Sequence, residues 1–221
     1  MLFAWLIKIL FRQRKEDIMK FGRFLLWFLR PLFFLLFPYK VKGLNNIPEN
    51  NEGRLILCSN HISIIDPVFL LMAFKSRPIF YMAKAELFSN KLAVWLFQKQ
   101  FGAFPVRRGQ GDTGSLDTAE KIVCEGKLMG IFPEGTRSKD GKLGRAKSGA
   151  ALIASRTGAS VLPVAIKAKN QKVRLFHKTH ILIGRPVPPD QLHTQDPEKP
   201  DLRYASRMIM EQIAKMMEED A

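Results

Sequence analysis

The chain has 221 residues, 47% of them hydrophobic, which suits one α/β domain with a sizeable core. It has 35 basic and 20 acidic side chains, and this net charge of +15 favours an anionic partner such as phospholipid, nucleic acid or an acidic protein. Its two cysteines are too few for a disulfide framework, which excludes a small disulfide-rich secreted fold and indicates a reducing, intracellular setting.

Two apolar segments separated by charged residues open the chain. Residues 1–11 are apolar except for Lys8, and residues 24–37 are apolar apart from Arg30. As a helix, the second segment is about 21 Å long, which is short of the roughly 30 Å hydrocarbon core of a bilayer. A basic stripe with an aromatic side chain lies along this second helix, and such a stripe is typical of a segment in the membrane interface: Lys20, Arg23, Trp27 and Arg30.

We interpret these segments as two helices, over residues 1–12 and 17–37, that lie on the membrane rather than crossing it. A single tilted span over residues 21–39 is an alternative, but it would bury Arg30 at a cost of about 2.5–3.5 kcal/mol. An ordinary pair of core helices is a third reading. A secretory signal is disfavoured because the first segment lacks a clear small-residue cleavage site.

The rest of the chain alternates short apolar runs with helical segments, which predicts an α/β domain with a mixed, mostly parallel sheet flanked by helices. We expect residues 1–38 to anchor the protein and residues 39–221 to form this domain. Predicted strands cover residues 40–43, 54–58, 78–83, 101–106, 127–132 and 160–166. Predicted helices cover residues 67–74, 91–98, 112–126, a small-residue segment after residue 145, and a C-terminal stretch from residue 202 that is capped by Asp201.

A histidine and an aspartate flank the loop between the second predicted strand and the first of these helices. His61 follows the strand, and Asp66 occupies the natural N-cap position, with Pro67 at the first helical position. If the loop folds back, the carboxylate meets the imidazole, fixes its tautomer and stabilises its charged form. That pair is half of a proton-abstraction site. The alternative is that Asp66 only caps the helix and His61 is an ordinary loop residue.

Polar side chains also follow the strand over residues 127–132, at the end where open α/β sheets bind ligands. Glu134 and Arg137 are therefore candidates to bind a polar, anionic substrate, and Lys147 either adds charge to the same site or is simply solvated. Arg107 and Arg108 end another short apolar strand, where a guanidinium group can bind phosphate; the alternative is a solvated basic loop. We assign no role to the remaining histidines, which lack metal-ligand spacing: His177, His180 and His193.

With these residues in hand, the chain resembles the glycerolipid acyltransferase family, most closely its 1-acylglycerol-3-phosphate acyltransferases. The first and third of four sequence blocks are the most specific, and the fourth is the least. The blocks occur in the family's order: His61 with Asp66, Gly102 to Arg108, Phe132 to Ser138, and Val161 to Val164. In the second block Pro105 replaces a frequent aromatic, and Arg108 takes the position of the family's arginine, with Arg107 beside it.

The resemblance implies transfer of a fatty acyl group from a thioester to the sn-2 hydroxyl of lysophosphatidic acid, which gives phosphatidic acid. His61 would act as general base and Asp66 would orient it, without an acyl-enzyme. The acyl donor, acyl-CoA or acyl-carrier protein, would be a co-substrate, with no other cofactor and no metal. The acceptor's phosphate and glycerol would be bound by five residues: Arg108, Glu134, Gly135, Thr136 and Arg137.

These implications place the protein on anionic phospholipid at the cytoplasmic face of the cell membrane, attached peripherally. Glycerol-3-phosphate or another lysolipid is an alternative acceptor. Cys58 or Ser63, if activated by His61, would instead give a ping-pong mechanism. A non-catalytic basic module that binds nucleic acid or anionic membranes is disfavoured. The chain lacks a basic recognition helix, and nucleic-acid binding would leave its apolar N-terminus unexplained.

Overall fold

In the computed structural model, the described residues are 24–25, 27–49, 53–74, 77–91, 94–106, 113–138, 140–196 and 198–218. Within these ranges one sheet has seven strands: β1 (Tyr39–Lys42), β2 (Leu55–Ser59), β3 (Ile79–Lys84), β4 (Phe104–Val106), β5 (Leu128–Ile131), β6 (Ser160–Ala168) and β7 (Thr179–Ile183).

The sheet has the order β1-β7-β6-β2-β5-β3-β4, and every neighbouring pair is parallel except β6 and β7. The prediction of a mixed, mostly parallel sheet is therefore confirmed. The sequence prediction missed β7, which returns antiparallel to β6 and carries β1 on its outer side.

Five α-helices are described in these ranges. The first, α1, covers residues 27–36. The others are α2 (Asp66–Ala73), α3 (Thr113–Cys124), α4 (Gly149–Thr157) and α5 (Leu202–Glu218). In the helix predicted over residues 91–98, Lys91 is α-helical, residues 92–93 lie outside the described ranges, and Val94–Gln100 form a π-helix. Hydrophobic periodicity over about two turns cannot distinguish hydrogen bonds between residues four apart from hydrogen bonds between residues five apart.

Both faces of the sheet are covered, as parallel strands require. All five residues of β2 are buried, and the four apolar ones alternate between two apolar clusters. Ile56 and Cys58 face a cluster built from α3, α4 and α5. Leu55 and Leu57 face a second cluster that contains Phe69 of α2. Packing on both faces of the sheet therefore fixes the position of β2, including its C-terminal end.

Glycine and aspartate mark helix boundaries where the sequence predicts them. Beyond α3, Gly126 adopts a left-handed φ of 73° and donates its N–H to Val123 O at 3.0 Å. Lys127 N–H donates to Ile122 O, which completes a Schellman motif. At α5, Tyr204 N–H donates to Asp201 Oδ1 at 2.9 Å, so Asp201 caps the helix as predicted.

The C-terminal end of helix α1 packs on the domain. The Phe33 and Phe37 rings lie 5.3 and 6.4 Å from the Phe69 ring. Seven large apolar side chains along the helical segment are exposed: Phe24, Trp27, Phe28, Leu29, Leu32, Phe34 and Leu35. Within the described ranges, none of the helices combines the length and the apolarity needed to cross a bilayer. The helix predicted over residues 1–12 lies outside the described residues.

Candidate active site

The loop after β2 is anchored by a buried asparagine. Asn60 Nδ2 donates to Ile166 O at 2.9 Å, and Asn60 Oδ1 accepts from Ile166 N–H at 2.7 Å. The side chain thus continues the pairing of β2 with β6 for one more step after β2 ends at Ser59. His61 therefore leaves the sheet from a point that is fixed to the neighbouring strand.

The His61 and Asp66 side chains meet across the folded-back loop. Asp66 is fully buried, and its Oδ2 lies 2.8 Å from His61 Nδ1. The same oxygen accepts the N–H groups of Ile62 and Ser63, each at 2.7 Å. Because an ionised Asp66 can only accept hydrogen bonds, Nδ1 carries the proton and Nε2 of the neutral ring keeps its lone pair. The arrangement has the geometry of a base held by a carboxylate.

The predicted helix cap at Asp66 is wrong. The helix begins at Asp66 itself, Ile65 is the N-cap residue, and no side chain caps the helix. The first turn is closed instead by Ile65 O, which accepts the N–H groups of Val68 and Phe69. The Asp66 carboxylate points towards the loop because it accepts hydrogen bonds there from an imidazole and two backbone N–H groups. In the N-cap position it would accept only from backbone N–H groups.

The segment after β5 holds the backbone of His61 on both sides. His61 N–H donates to Glu134 Oε1 at 3.0 Å, and Ser138 N–H donates to His61 O at 2.8 Å. Glu134 is only 7% exposed, and its second oxygen accepts Gly144 N–H at 2.8 Å. Both carboxylate oxygens of Glu134 therefore bind backbone N–H groups that lie far apart in the sequence.

Two aromatic rings form one wall of the site. The Phe132 ring stacks on His61 with centroids 4.1 Å apart, and the Tyr81 ring lies nearly parallel to Phe132 with centroids 6.1 Å apart. Burial, and then the negative charge of Asp66, raise the pKa of the Tyr81 hydroxyl well above its ordinary value. The hydroxyl therefore stays protonated, and Tyr81 is unsuited to act as a general base.

The structure describes some of the other residues predicted to bind the substrate, but not all of them. Thr136 and Arg137 are exposed on the segment that holds His61, and Arg137 has no carboxylate partner in the part of the chain that is described. Gly135 has a left-handed φ of 70°, and a Cβ there would approach Lys147 Nζ to 3.1 Å. The Lys147 side chain therefore crosses Gly135, next to the predicted phosphate site. Arg108 lies outside the described residues, and so does Arg107.

Of the two alternative nucleophiles, Cys58 is poorly placed to react with His61. Cys58 is fully buried in the cluster behind the sheet, while His61 stacks on Phe132, which packs against the opposite cluster. Burial raises the pKa of the Cys58 thiol far above its usual range, so the thiolate does not form at neutral pH. Ser63 Oγ accepts Ile65 N–H at 3.4 Å within the loop itself.

Sequence reasoning did not assign roles to Asn60, Phe132 or Ser138, although each lies inside a motif that it used. Asn60 directly precedes the histidine, and the other two are the ends of the block over residues 132–138. Their positions next to predicted site residues were the available signal. Their partners are residues that are distant in the sequence, and only the fold reveals these.

A family model identifies the class of protein to which the chain belongs. The model of the Acyltransferase family matches residues 38–167, more than half of the chain. The chain belongs to the acyltransferase family, and the prediction from the sequence blocks is confirmed.

Two named relatives and one solved structure are similar to the chain. The chain is 37% identical over 153 residues to the 1-acyl-sn-glycerol-3-phosphate acyltransferase of Bacillus subtilis, covering 67% of this chain and 73% of the relative. It is 30% identical to the protein of the same name from Borreliella burgdorferi, covering 80% of this chain and 71% of the relative. The crystal structure of the 1-acyl-sn-glycerophosphate acyltransferase PlsC from Thermotoga maritima superposes with a TM-score of 0.65 at 25% identity. The match covers 94% of this chain and 81% of that one.

Proposed function

We propose that the protein transfers a fatty acyl group from an acyl thioester to the sn-2 hydroxyl of 1-acylglycerol-3-phosphate, giving phosphatidic acid. The observation that carries this proposal is the 2.8 Å contact between His61 Nδ1 and the fully buried Asp66 carboxylate. The relatives named for this reaction support the choice of acceptor.

The proposed chemistry uses His61 as the general base. Nε2 removes the proton of the acceptor hydroxyl while the hydroxyl oxygen attacks the carbonyl carbon of the thioester. An O–H bond breaks and a C–O bond forms. The C–S bond then breaks, and the imidazolium returns the proton to the departing thiolate. Asp66 stabilises the positive ring in between, as the carboxylate of a catalytic triad does. Acyl-CoA or acyl-carrier protein is the co-substrate, and no acyl-enzyme is required because both substrates are bound together.

Cations and backbone around Gly135 suit the acceptor's phosphate. Arg137 is exposed beside His61's loop and offers the bidentate donors that phosphate accepts. Thr136 can donate its hydroxyl, and Gly135 lets a ligand approach the backbone closely. Lys147 supplies a further positive charge from across Gly135. Arg108 remains a predicted ligand of the same phosphate.

The proposed reaction takes place on the cytoplasmic face of the cell membrane, with peripheral attachment through the N-terminal segment. Seven exposed apolar side chains between Phe24 and Leu35 support this placement, because such an apolar surface on a monomer marks an interaction site. Arg30 lies within the same helix and suits contact with anionic phospholipid. Both substrates of the reaction carry acyl chains, so a bilayer surface concentrates them.

The proposal is tested by giving the wild-type protein lysophosphatidic acid with a panel of acyl-CoA and acyl-carrier-protein thioesters in detergent. Release of free thiol together with phosphatidic acid is the expected result. Glycerol-3-phosphate and other lysolipids added in competition identify the acceptor, and a faster reaction with any of them would replace lysophosphatidic acid in the proposal. No thiol release with any pair would contradict it.

A further inference from the structure

The connection between β6 and β7, residues 169–178, is strongly basic. We call it the basic loop. It contains four cationic side chains and no carboxylate, and all four are exposed: Lys169, Lys172, Arg174 and Lys178. None of them forms an ion pair with any carboxylate that the structure describes. The loop therefore presents an unneutralised positive surface.

The tip of the basic loop is apolar. Leu175 is 50% exposed and Phe176 is 66% exposed, between the cations on either side. Phe176 has a left-handed φ of 61°, which is a genuine outlier for a bulky aromatic residue. Its N–H donates to Leu36 O, the last residue of α1, at 2.7 Å. The fold thus holds an aromatic ring out of the domain in an unfavourable backbone conformation, which points to a function for that ring.

The basic loop lies at the end of the sheet that bears His61. Asn60, the neighbour of His61, is bonded to Ile166, and the loop begins just after β6 ends at Ala168. The N-terminal segment enters at the same end, because Thr179 N–H donates to Pro38 O at 2.8 Å. Ile64, in the loop between His61 and Asp66, is exposed there as well.

We propose that the basic loop is a second membrane contact, in addition to α1. Leu175 and Phe176 enter the interface of an anionic bilayer while the four cations bind lipid phosphates. An exposed aromatic with flanking cations matches this partner, because aromatic rings settle at the headgroup level and basic residues are attracted to anionic lipid. One helix attaches the α/β domain to the membrane but leaves its orientation free, whereas two contacts also fix the orientation. The loop therefore holds the His61 end of the sheet against the lipid.

The test compares matched pairs of residues at opposite ends of β1 and β7. Leu44 follows the far end of β1 and is 50% exposed, as Leu175 is. Arg185 follows the far end of β7 and is exposed, as Arg174 is. Full-length wild type, Leu175→Ser, Phe176→Ser, Arg174→Gln, and the controls Leu44→Ser and Arg185→Gln are sedimented with vesicles of phosphatidylcholine, with and without phosphatidylglycerol.

We expect Phe176→Ser to lower the partition coefficient about tenfold. Arg174→Gln should lower it about fivefold on phosphatidylglycerol vesicles only, which corresponds to about 1 kcal/mol. Both controls should partition like the wild type. Circular dichroism and turnover in detergent, where no bilayer orientation is needed, should be unchanged in every variant.

A second measurement does not depend on affinity. A nitroxide label at Phe176→Cys in a Cys124→Ser background should report immersion in the bilayer by power saturation, and a label at Leu44→Cys should report water. Wild-type affinity in the loop variants, or a Phe176 label in water, would overturn the proposal. Loss of transfer only from acyl-carrier protein, with vesicle binding intact, would make the loop a protein-docking surface instead. The proposal shares the lipid acceptor with the proposed function, but failure of vesicle binding leaves the detergent assay of that function untouched.

Discussion

Replacement of Glu134 by glutamine tests what the buried carboxylate does. The Glu134 oxygens accept His61 N–H and Gly144 N–H at 3.0 and 2.8 Å. An amide has only one acceptor oxygen, so in either orientation its NH2 group faces one of these two donors. A fully buried N–H that loses its acceptor costs about 1–3 kcal/mol, but both of these bonds are only part-buried and Gly144 is exposed. We therefore expect Glu134→Gln to lower the free energy of unfolding by about 1 kcal/mol, the lower end of that range.

The separate effects on kcat and KM distinguish a residue that positions His61 from one that binds substrate. If Glu134 fixes the backbone of His61, loss of about 1 kcal/mol in the productive geometry corresponds to about a fivefold fall in kcat. KM for the acceptor should change little, because the proposed phosphate ligands are intact. The assay is thiol release at saturating donor, with the acceptor titrated.

Gly144→Ala perturbs the same link without changing Glu134. A Cβ at Gly144 would lie 2.8 Å from Glu134 Oε2, so the carboxylate must move, whereas a Cβ at Gly149, five residues on, would meet nothing within 4 Å. We expect a lower kcat for Gly144→Ala, normal kinetics for Gly149→Ala, and less than additive effects when Gly144→Ala is combined with Glu134→Gln. A raised KM with unchanged kcat in Glu134→Gln, together with a fully active Gly144→Ala, would refute this reasoning and return Glu134 to the predicted role of substrate ligand.

Three further substitutions have distinct expected outcomes. Asp66→Asn removes the charge that stabilises the imidazolium, so kcat should fall about 10³-fold or more while circular dichroism stays native; a fall below tenfold argues against the His61–Asp66 pair. Arg137→Gln removes a proposed phosphate ligand, so KM for lysophosphatidic acid should rise about tenfold with kcat little changed, and an unchanged KM places the phosphate elsewhere. Cys58→Ala should keep full kcat and lose about 1 kcal/mol of stability in chemical denaturation, since the thiol is buried in the core; an inactive variant would revive the ping-pong mechanism.

The sequence predicts the parts of this site that depend on local order. The strand over residues 54–58 and the histidine that follows it are recognisable because a run of apolar side chains stops at a polar loop. The end of α3 is predictable for a similar reason, since Gly126 supplies the left-handed residue that a Schellman motif needs. In each case the residues that decide the structure are neighbours in the chain.

Other features depend on contacts that no local pattern contains. Asp66 reads as a helix cap because its position and residue type are those of a cap, and only the folded loop shows that its partners lie behind it. Glu134 is predicted as a substrate ligand, which stays a prediction, but its bond to His61 N–H could not be predicted because the two residues are 73 positions apart. The strand β7 was missed because its short alternation lies within a basic stretch, and its pairing with β6 and β1 decides its conformation.

The most direct test of the account compares His61→Ala with the wild type in the conversion of lysophosphatidic acid and an acyl thioester to phosphatidic acid and free thiol. The account predicts turnover by the wild type and a loss of at least about 10³-fold in kcat for His61→Ala, with the native circular dichroism spectrum retained. A His61→Ala variant that releases thiol at the wild-type rate would contradict it, because no general base would then reside at the end of β2.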